Sequence, residues 1–229
     1  VILLEIEPEK QNTKIDFLYC NRDIGIPVVC VTDIIKKGKQ LFYLNSKGEE
    51  ILVKRIYNRV IFDELELRKD LKLNFSFSDE LDIEWAGHPN WFFRISKFIL
   101  PFLKGKYFIE TTLLSDLKVI PVDLENYVLK PLFSFSGSGV VFHVKKEDIE
   151  AVQEKHLYIL QKKVNYVPIV QSPDGKVKAE VRILCVWQKN DESPTLLCNL
   201  VRLSRGEMIG VKFNKDKDWV GGSIGLFER

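Results

Sequence analysis

The chain has 229 residues, 45% of them apolar and 29% charged, with 34 Lys and Arg against 32 Asp and Glu for a net charge of +2. This is an ordinary globular composition, long enough for one large or two modest domains. It lacks the strong basic field that draws a protein to nucleic acid, so any anion site must be built locally.

Cys20, Cys30, Cys185 and Cys198 have no CxxC or Cys/His spacing, and His88, His143 and His156 are scattered. A disulfide framework or structural zinc is not expected, and a reducing cytoplasmic setting is the simplest. No apolar run approaches the ~20 residues of a membrane helix, so no membrane partner is expected. The first residue is Val, which suggests a piece of a longer protein.

In chain order, VILLEI reads as a buried strand, TKIDFLYCNRDI as a helix ended by Gly25, and IPVVCV as a second strand. Strand, helix and strand within about 30 residues make a βαβ unit with a right-handed crossover. QLFYL, the turn NSKG and EEILVKRIY read as a hairpin continuing that sheet. This Rossmann-like layer, residues 1–75, lacks a Gly-rich dinucleotide fingerprint. Residues 65–87 read as an acidic connecting segment. WFFRISKFILPFL reads as an amphipathic helix capped by Asn90 and bent or ended by Pro101, and TTLLSDL as a short helix. YVLKPL and GVVFHV read as strands flanking a Ser/Gly loop, with a helix at EDIEAVQE and a strand at LYILQKKV. VNYVPIVQ, KVKAEVRILCVWQ and TLLCNLVRLS read as antiparallel strands with polar turns. The class is α/β followed by α+β with a largely antiparallel sheet.

Lys130 shares a strand face with Val128 and Leu132, so its ammonium either snorkels to an edge or meets an anion. The loop that follows offers amides and hydroxyls able to cradle phosphate, although an exposed lysine beside a plain loop fits the same residues. Lys178, Glu180 and Arg182 share one face of their strand. They read either as a solvated ion-paired surface or as a site wall, since Leu184 and Val186 continue that face. Arg202 repeats the placement on the next strand. Asn58 and Arg59 in RIYNRVIFDEL either grip an acidic substrate or leave Arg59 to pair with Asp63.

YVLKPLFSFSGSGVVF, YILQKKV, AEVRILCVW, NLVRLSRGEMIGVKFN and Gly221-Gly222 occur in the order used by ATP-grasp proteins. The chain resembles that superfamily over nearly its whole length, most closely its circularly permuted, glutathionylspermidine-synthase-like branch. ISKFILPFL resembles the helix carrying the first nucleotide lysine, and Thr111 or Thr112 stands where a P-x-T element is often found. The resemblance implies a pre-ATP-grasp layer and then an ATP-grasp region at 76–229, with a lid at about 90–160 and a nucleotide-binding sheet at about 157–229. It also implies that Lys97 and Lys130 contact phosphates while Ser136, Gly137, Ser138 and Gly139 close over them. Gln161, Lys162 and Val164 would form the adenine hinge. Glu180 and Arg182 would face the nucleotide and acyl-phosphate region, Arg202 would stabilise the transferring phosphoryl group, and Asn214 would lie near the phosphates or metal. The implied chemistry is ATP- and Mg²⁺-dependent activation of a small-molecule or peptide carboxylate to an acyl phosphate, attacked by an amine or thiol.

One departure from the family pattern concerns the metal. Such enzymes hold Mg²⁺ through an Asp and a Glu-x-Asn pair, and this sequence has no Glu-x-Asn. Either the ligands lie outside these residues, with Glu180 supplying one at most, or the chain binds nucleotide without efficient catalysis. A structural interaction protein is the third reading, and it leaves the inward charges unexplained.

Overall fold

The computed structural model describes residues 1–134 and 137–226, apart from the side chains of Phe93, Val211 and Lys212. The fold is mixed, with α-helices, one parallel sheet and several antiparallel sheets.

Strand β1 (Ile2–Glu5), helix α1 (Lys14–Ile24) and strand β2 (Val28–Cys30) form the expected unit, β1 pairing parallel to β2 with Leu3 opposite Val28. Every residue of β1 is buried, as expected of a parallel strand covered on both faces. α1 ends at Gly25, whose φ of 70° is the left-handed conformation that glycine adopts without a Cβ clash, while its N–H closes on Asn21 O.

The expected hairpin forms but does not continue this sheet. Strands β3 (Ile35–Lys37), β4 (Gln40–Leu44) and β5 (Glu50–Val53) make a separate antiparallel sheet, with Leu41 and Val53 facing the first core. The chain leaves that sheet at Lys54, and β6 (Arg55–Asn58) then pairs parallel to β1. Residues 65–87 are not a mere connector. After helix α2 (Phe62–Leu67), Phe75 enters the core and strand β7 (Glu84–Ala86) adds to β6, giving the order β2-β1-β6-β7. The apolar residues Leu71, Leu73, Phe75 and Phe77, hidden among charges, anchor this stretch.

The amphipathic helix expected at 91–103 breaks in two. Helix α3 (Trp91–Arg94) gives way at Ser96 to a 3-10 stretch (Lys97–Phe102) that contains Pro101, and Asn90 makes no side-chain cap. Ser96 caps instead, accepting from Phe98 N. Trp91, Ile95, Phe98 and Phe102, expected on one helical face, remain exposed.

Strand β8 (Thr111–Leu113) stands where a helix is expected, because two β-branched residues there pair with the next sheet. That sheet is antiparallel, in the order β8-β10-β9, with β9 (Tyr127–Pro131) and β10 (Tyr158–Lys162). GVVFHV contributes one bridge, Val141 to Leu129, rather than a strand. Helix α4 (Lys146–Glu150) seals the underside through Ile149, packed with Leu129 and Leu160. The last sheet, also antiparallel, joins β11 (Pro168–Ser172), β12 (Gly175–Val186), β13 (Thr195–Ser204) and β14 (Gly221–Ser223), with helix α5 (Val211–Asn214) before β14. Of the apolar face expected on β12, Val177 is buried while Val181, Ile183 and Trp187 are exposed.

Candidate functional site

Register places the candidate residues. In the β8-β10-β9 sheet Gln161 lies opposite Val128 on one side and Thr111 on the other, while Lys130 sits diagonally from Gln161 on the same face. A row of polar groups results. The Lys130 ammonium donates to Gln161 Oε1 at 2.6 Å, Gln161 Nε2 donates to Thr111 Oγ1 at 2.8 Å, and Thr111 Oγ1 donates to Ile109 O at 2.9 Å. Gln161 and Thr111 are buried, and burial pushes the Lys130 pKa below the ordinary lysine range.

This row is one wall of a cavity of about 570 Å³ whose far wall comes from the β11–β14 sheet and the turn after β13. Lys130, Gln161, Lys162, Val164 and Glu180 all line it. Beyond the end of β10, Val164 uses neither its N–H nor its C=O in a backbone hydrogen bond among the described residues, leaving a donor and an acceptor on the wall. Lys162 faces outward to Glu110, 2.7 Å away, which raises its pKa.

Lys97 does not line this cavity but braces the loop beside it. Its ammonium donates to Ser134 O at 2.8 Å and Ser134 Oγ at 2.9 Å. Burial and then the neighbouring Lys130 push its pKa down, and Asp63 opposes them. The two lysines are thus close enough to repel, a concentration of positive charge that an anion would relieve.

Gly137 and Gly139 take the left-handed conformation, with φ of 77° and 67°, in a turn at 137–139 that includes Ser138. Gly137 lies over Met208, which lines the cavity along with Val140 and Phe142. Ser136 lies outside the described residues.

Glu180 and Arg202 are directly paired between β12 and β13. Arg182 Nε donates to Glu180 Oε1 at 2.8 Å, and Arg202 Nη1 lies 3.7 Å from the same oxygen. Both arginines open instead on a second cavity of about 460 Å³, lined also by Leu200, Gly221 and Gly222. Ile209 borders both spaces, and its carbonyl accepts from Arg202 Nη2 at 2.8 Å. The β12 charges are thus ion-paired and also line cavities, Lys178 and Glu180 the first and Arg182 the second.

Asn214 also borders the second cavity, but its amide is already committed. Oδ1 accepts from Ser204 Oγ, Arg205 N and Gly206 N at 3.0, 2.9 and 2.8 Å, and Nδ2 donates to Met208 O and Gly210 O at 3.2 and 2.8 Å. With both donors and the acceptor in use, Asn214 organises the 204–214 turn rather than presenting a free group to phosphate. Gly206 belongs to the same device, because a Cβ there would overlap Phe213 O.

Sequence reasoning missed Tyr166, whose hydroxyl donates to Glu180 Oε2 at 3.4 Å, and the link between His143 and Glu207, 2.6 Å apart. Neither carries a sequence signal, since each pair forms only when separate segments converge. Lys178, singled out as a surface charge, lines the first cavity. Asn58 and Arg59 stand apart at the carboxyl end of β6, and Arg59 stacks over the Phe17 ring at 5.4 Å rather than pairing with Asp63.

Among the described residues no three His, Cys, Asp or Glu side chains group as a metal site. Of the carboxylates lining the first cavity, Glu180 is engaged by Arg182 and Arg202 and Glu207 by His143, which leaves Glu125 as a single carboxylate, too few for a metal site. Mg²⁺ thus does not fit the described residues. A polyphosphate nucleotide does, with the half-buried Lys130 ammonium on one wall, Lys97 beside it, and the Val164 backbone N–H and C=O, unpaired among the described residues, at its edge. Compared with known proteins, the chain matches no protein-family model and no curated protein.

Proposed function

We propose that the chain binds ATP between the β8-β10-β9 and β11–β14 sheets, in the manner of an ATP-grasp protein, and acts as an ATP-dependent carboxylate ligase through an acyl phosphate. The carrying observation is the half-buried Lys130 ammonium, bonded to Gln161 and through it to Thr111, and repelled by Lys97, on the wall of a nucleotide-sized cavity.

In this reading the adenine edge meets the backbone of Val164, and the polyphosphate displaces water beside Lys130 and Lys97. Arg182 and Arg202, on the neighbouring cavity, hold negative charge as it develops on the transferred phosphoryl group. The turn carrying Gly137, Ser138 and Gly139 covers the site and keeps water from the acyl phosphate.

A second reading, nucleotide binding without efficient catalysis, is favoured by the Glu180 ion pairs, which tie up a carboxylate that catalysis would use. Calorimetric titration of ATP into wild type and Lys130→Ala, with and without Mg²⁺, tests the binding. Loss of one charge-assisted contact of ~1.5–3 kcal/mol predicts weakening of about tenfold to a hundredfold. ATP binding equally well to both proteins would remove the reading. Release of ADP only when carboxylate and amine pools are added separates ligase from binding module.

A further inference from the structure

The parallel sheet carries a charged group that the nucleotide cavity does not use. Glu5 ends β1 only 5% exposed, a burial that isolated carboxylates avoid. Its Oε1 accepts from Ile6 N at 2.8 Å. Its Oε2 accepts no hydrogen bond from a described residue, and since no fully buried side-chain oxygen among them goes unpaired, Oε2 keeps some contact with solvent at the carboxyl end of β1.

That strand end has a defined place in the topology. β1 is flanked by β2 on one side and β6 on the other, so the chain reverses direction across the sheet between β1 and β6. Open α/β sheets bind ligands outside the carboxyl ends of their strands at such a reversal. Arg59, which follows β6 and fixes its backbone to Leu4 O at 2.9 Å, is electrostatically coupled to Glu5 but forms no ion pair with it among the described residues. Glu64 and Asp16 add negative charge around the two, while the Arg59 guanidinium is steadied by Tyr57 OH and the Phe17 ring. One acid and one base thus stand near each other without closing the gap.

We infer that the carboxyl ends of β1 and β6 bind an amine substrate that also carries a carboxylate, its ammonium on Glu5 and its carboxylate on Arg59. Within the ligase reading, on which the assignment rests, the nucleophile is then the amine of an amino acid or short peptide rather than a thiol. Among the described residues Glu5 is the one acid buried to this degree, and an ammonium supplies three donors to an oxygen that lacks one.

Amide and arginine Nε correlation spectra of the whole chain test this, with L-alanine, glycylglycine, propylamine and propionate as probes. The Ile6 amide reports on Glu5 directly. At least one zwitterion is expected to move both the Ile6 and Arg59 signals, propylamine Ile6 alone and propionate Arg59 alone. Whether L-alanine or glycylglycine binds more tightly separates amino acid from peptide. Glu5→Gln keeps the acceptor for Ile6 N and so preserves the fold, yet is expected to weaken zwitterion binding about tenfold. The assignment is overturned if neither zwitterion moves Ile6, or if Glu5→Gln responds like wild type. Lys130→Ala should leave these responses intact. A chain that binds zwitterions but not ATP therefore disproves the nucleotide reading alone, and the converse disproves the ammonium site alone.

Discussion

Lys130 and Gln161 stand on neighbouring antiparallel strands with the lysine ammonium 2.6 Å from the glutamine oxygen, and Gln161 passes the contact to Thr111 on the third strand. One buried charge is therefore held by a three-strand relay. Gln161→Leu leaves the Lys130 ammonium and the Thr111 hydroxyl without their partner, and is expected to destabilise by about 2–4 kcal/mol. Urea denaturation measures this. A loss under ~1 kcal/mol would show that water replaces the amide without difficulty.

The lowered pKa of Lys130 and Lys97 gives binding a pH dependence with a definite sign. A phosphate stabilises the charged ammonium and pulls both values back up, so binding takes up protons between the free and bound pKa. Affinity for ATP is expected to fall as pH rises through that window. Calorimetry in two buffers of different ionisation enthalpy reads the uptake directly, and proton release would contradict the arrangement.

Stability follows the same linkage. The folded-state pKa of Lys130 lies below the unfolded value, so its contribution is fully present above about pH 10.4 and is lost as pH falls through the folded pKa. Lys130→Met carries no such dependence. The melting temperature of the variant relative to wild type should therefore rise as pH drops from alkaline to neutral, and a pH-independent difference would mean that the ammonium is well solvated.

Gly206→Ala and Asn214→Ala probe the 204–214 turn. The first drives a Cβ into Phe213 O and the second removes five hydrogen bonds, so each should cost about 2–4 kcal/mol. Thermal melts check this. An Asn214→Ala protein of unchanged stability that has lost ATP affinity would restore a phosphate contact to this residue.

Glu180→Gln weakens ion pairs whose side chains keep access to solvent, so the stability change should stay within ~1 kcal/mol. It also frees Arg182 and Arg202 of a competing charge. Tighter binding of inorganic pyrophosphate is the expected consequence, and weaker binding would mean that Glu180 positions the two arginines.

Local chemistry alone determined much of the fold. The βαβ opening followed from the apolar runs of β1 and β2 and from Gly25, and alternation of side chains along β9 put Lys130 on a face with Val128. Residues 71–77 and the split helix at 91–103 were hidden. In the first, apolar anchors are diluted by charges, and in the second, an apolar period persists across a break imposed by Ser96 and Pro101. What tertiary structure decided was partnership. No pattern in the sequence says that Lys130 finds Gln161, that Glu180 is shared by two arginines, that Asn214 spends its amide inside its own turn, or that Glu5 is buried at the sheet's reversal beside Arg59. Each depends on strand register and on loops brought together across long separations, which residue type and spacing do not encode.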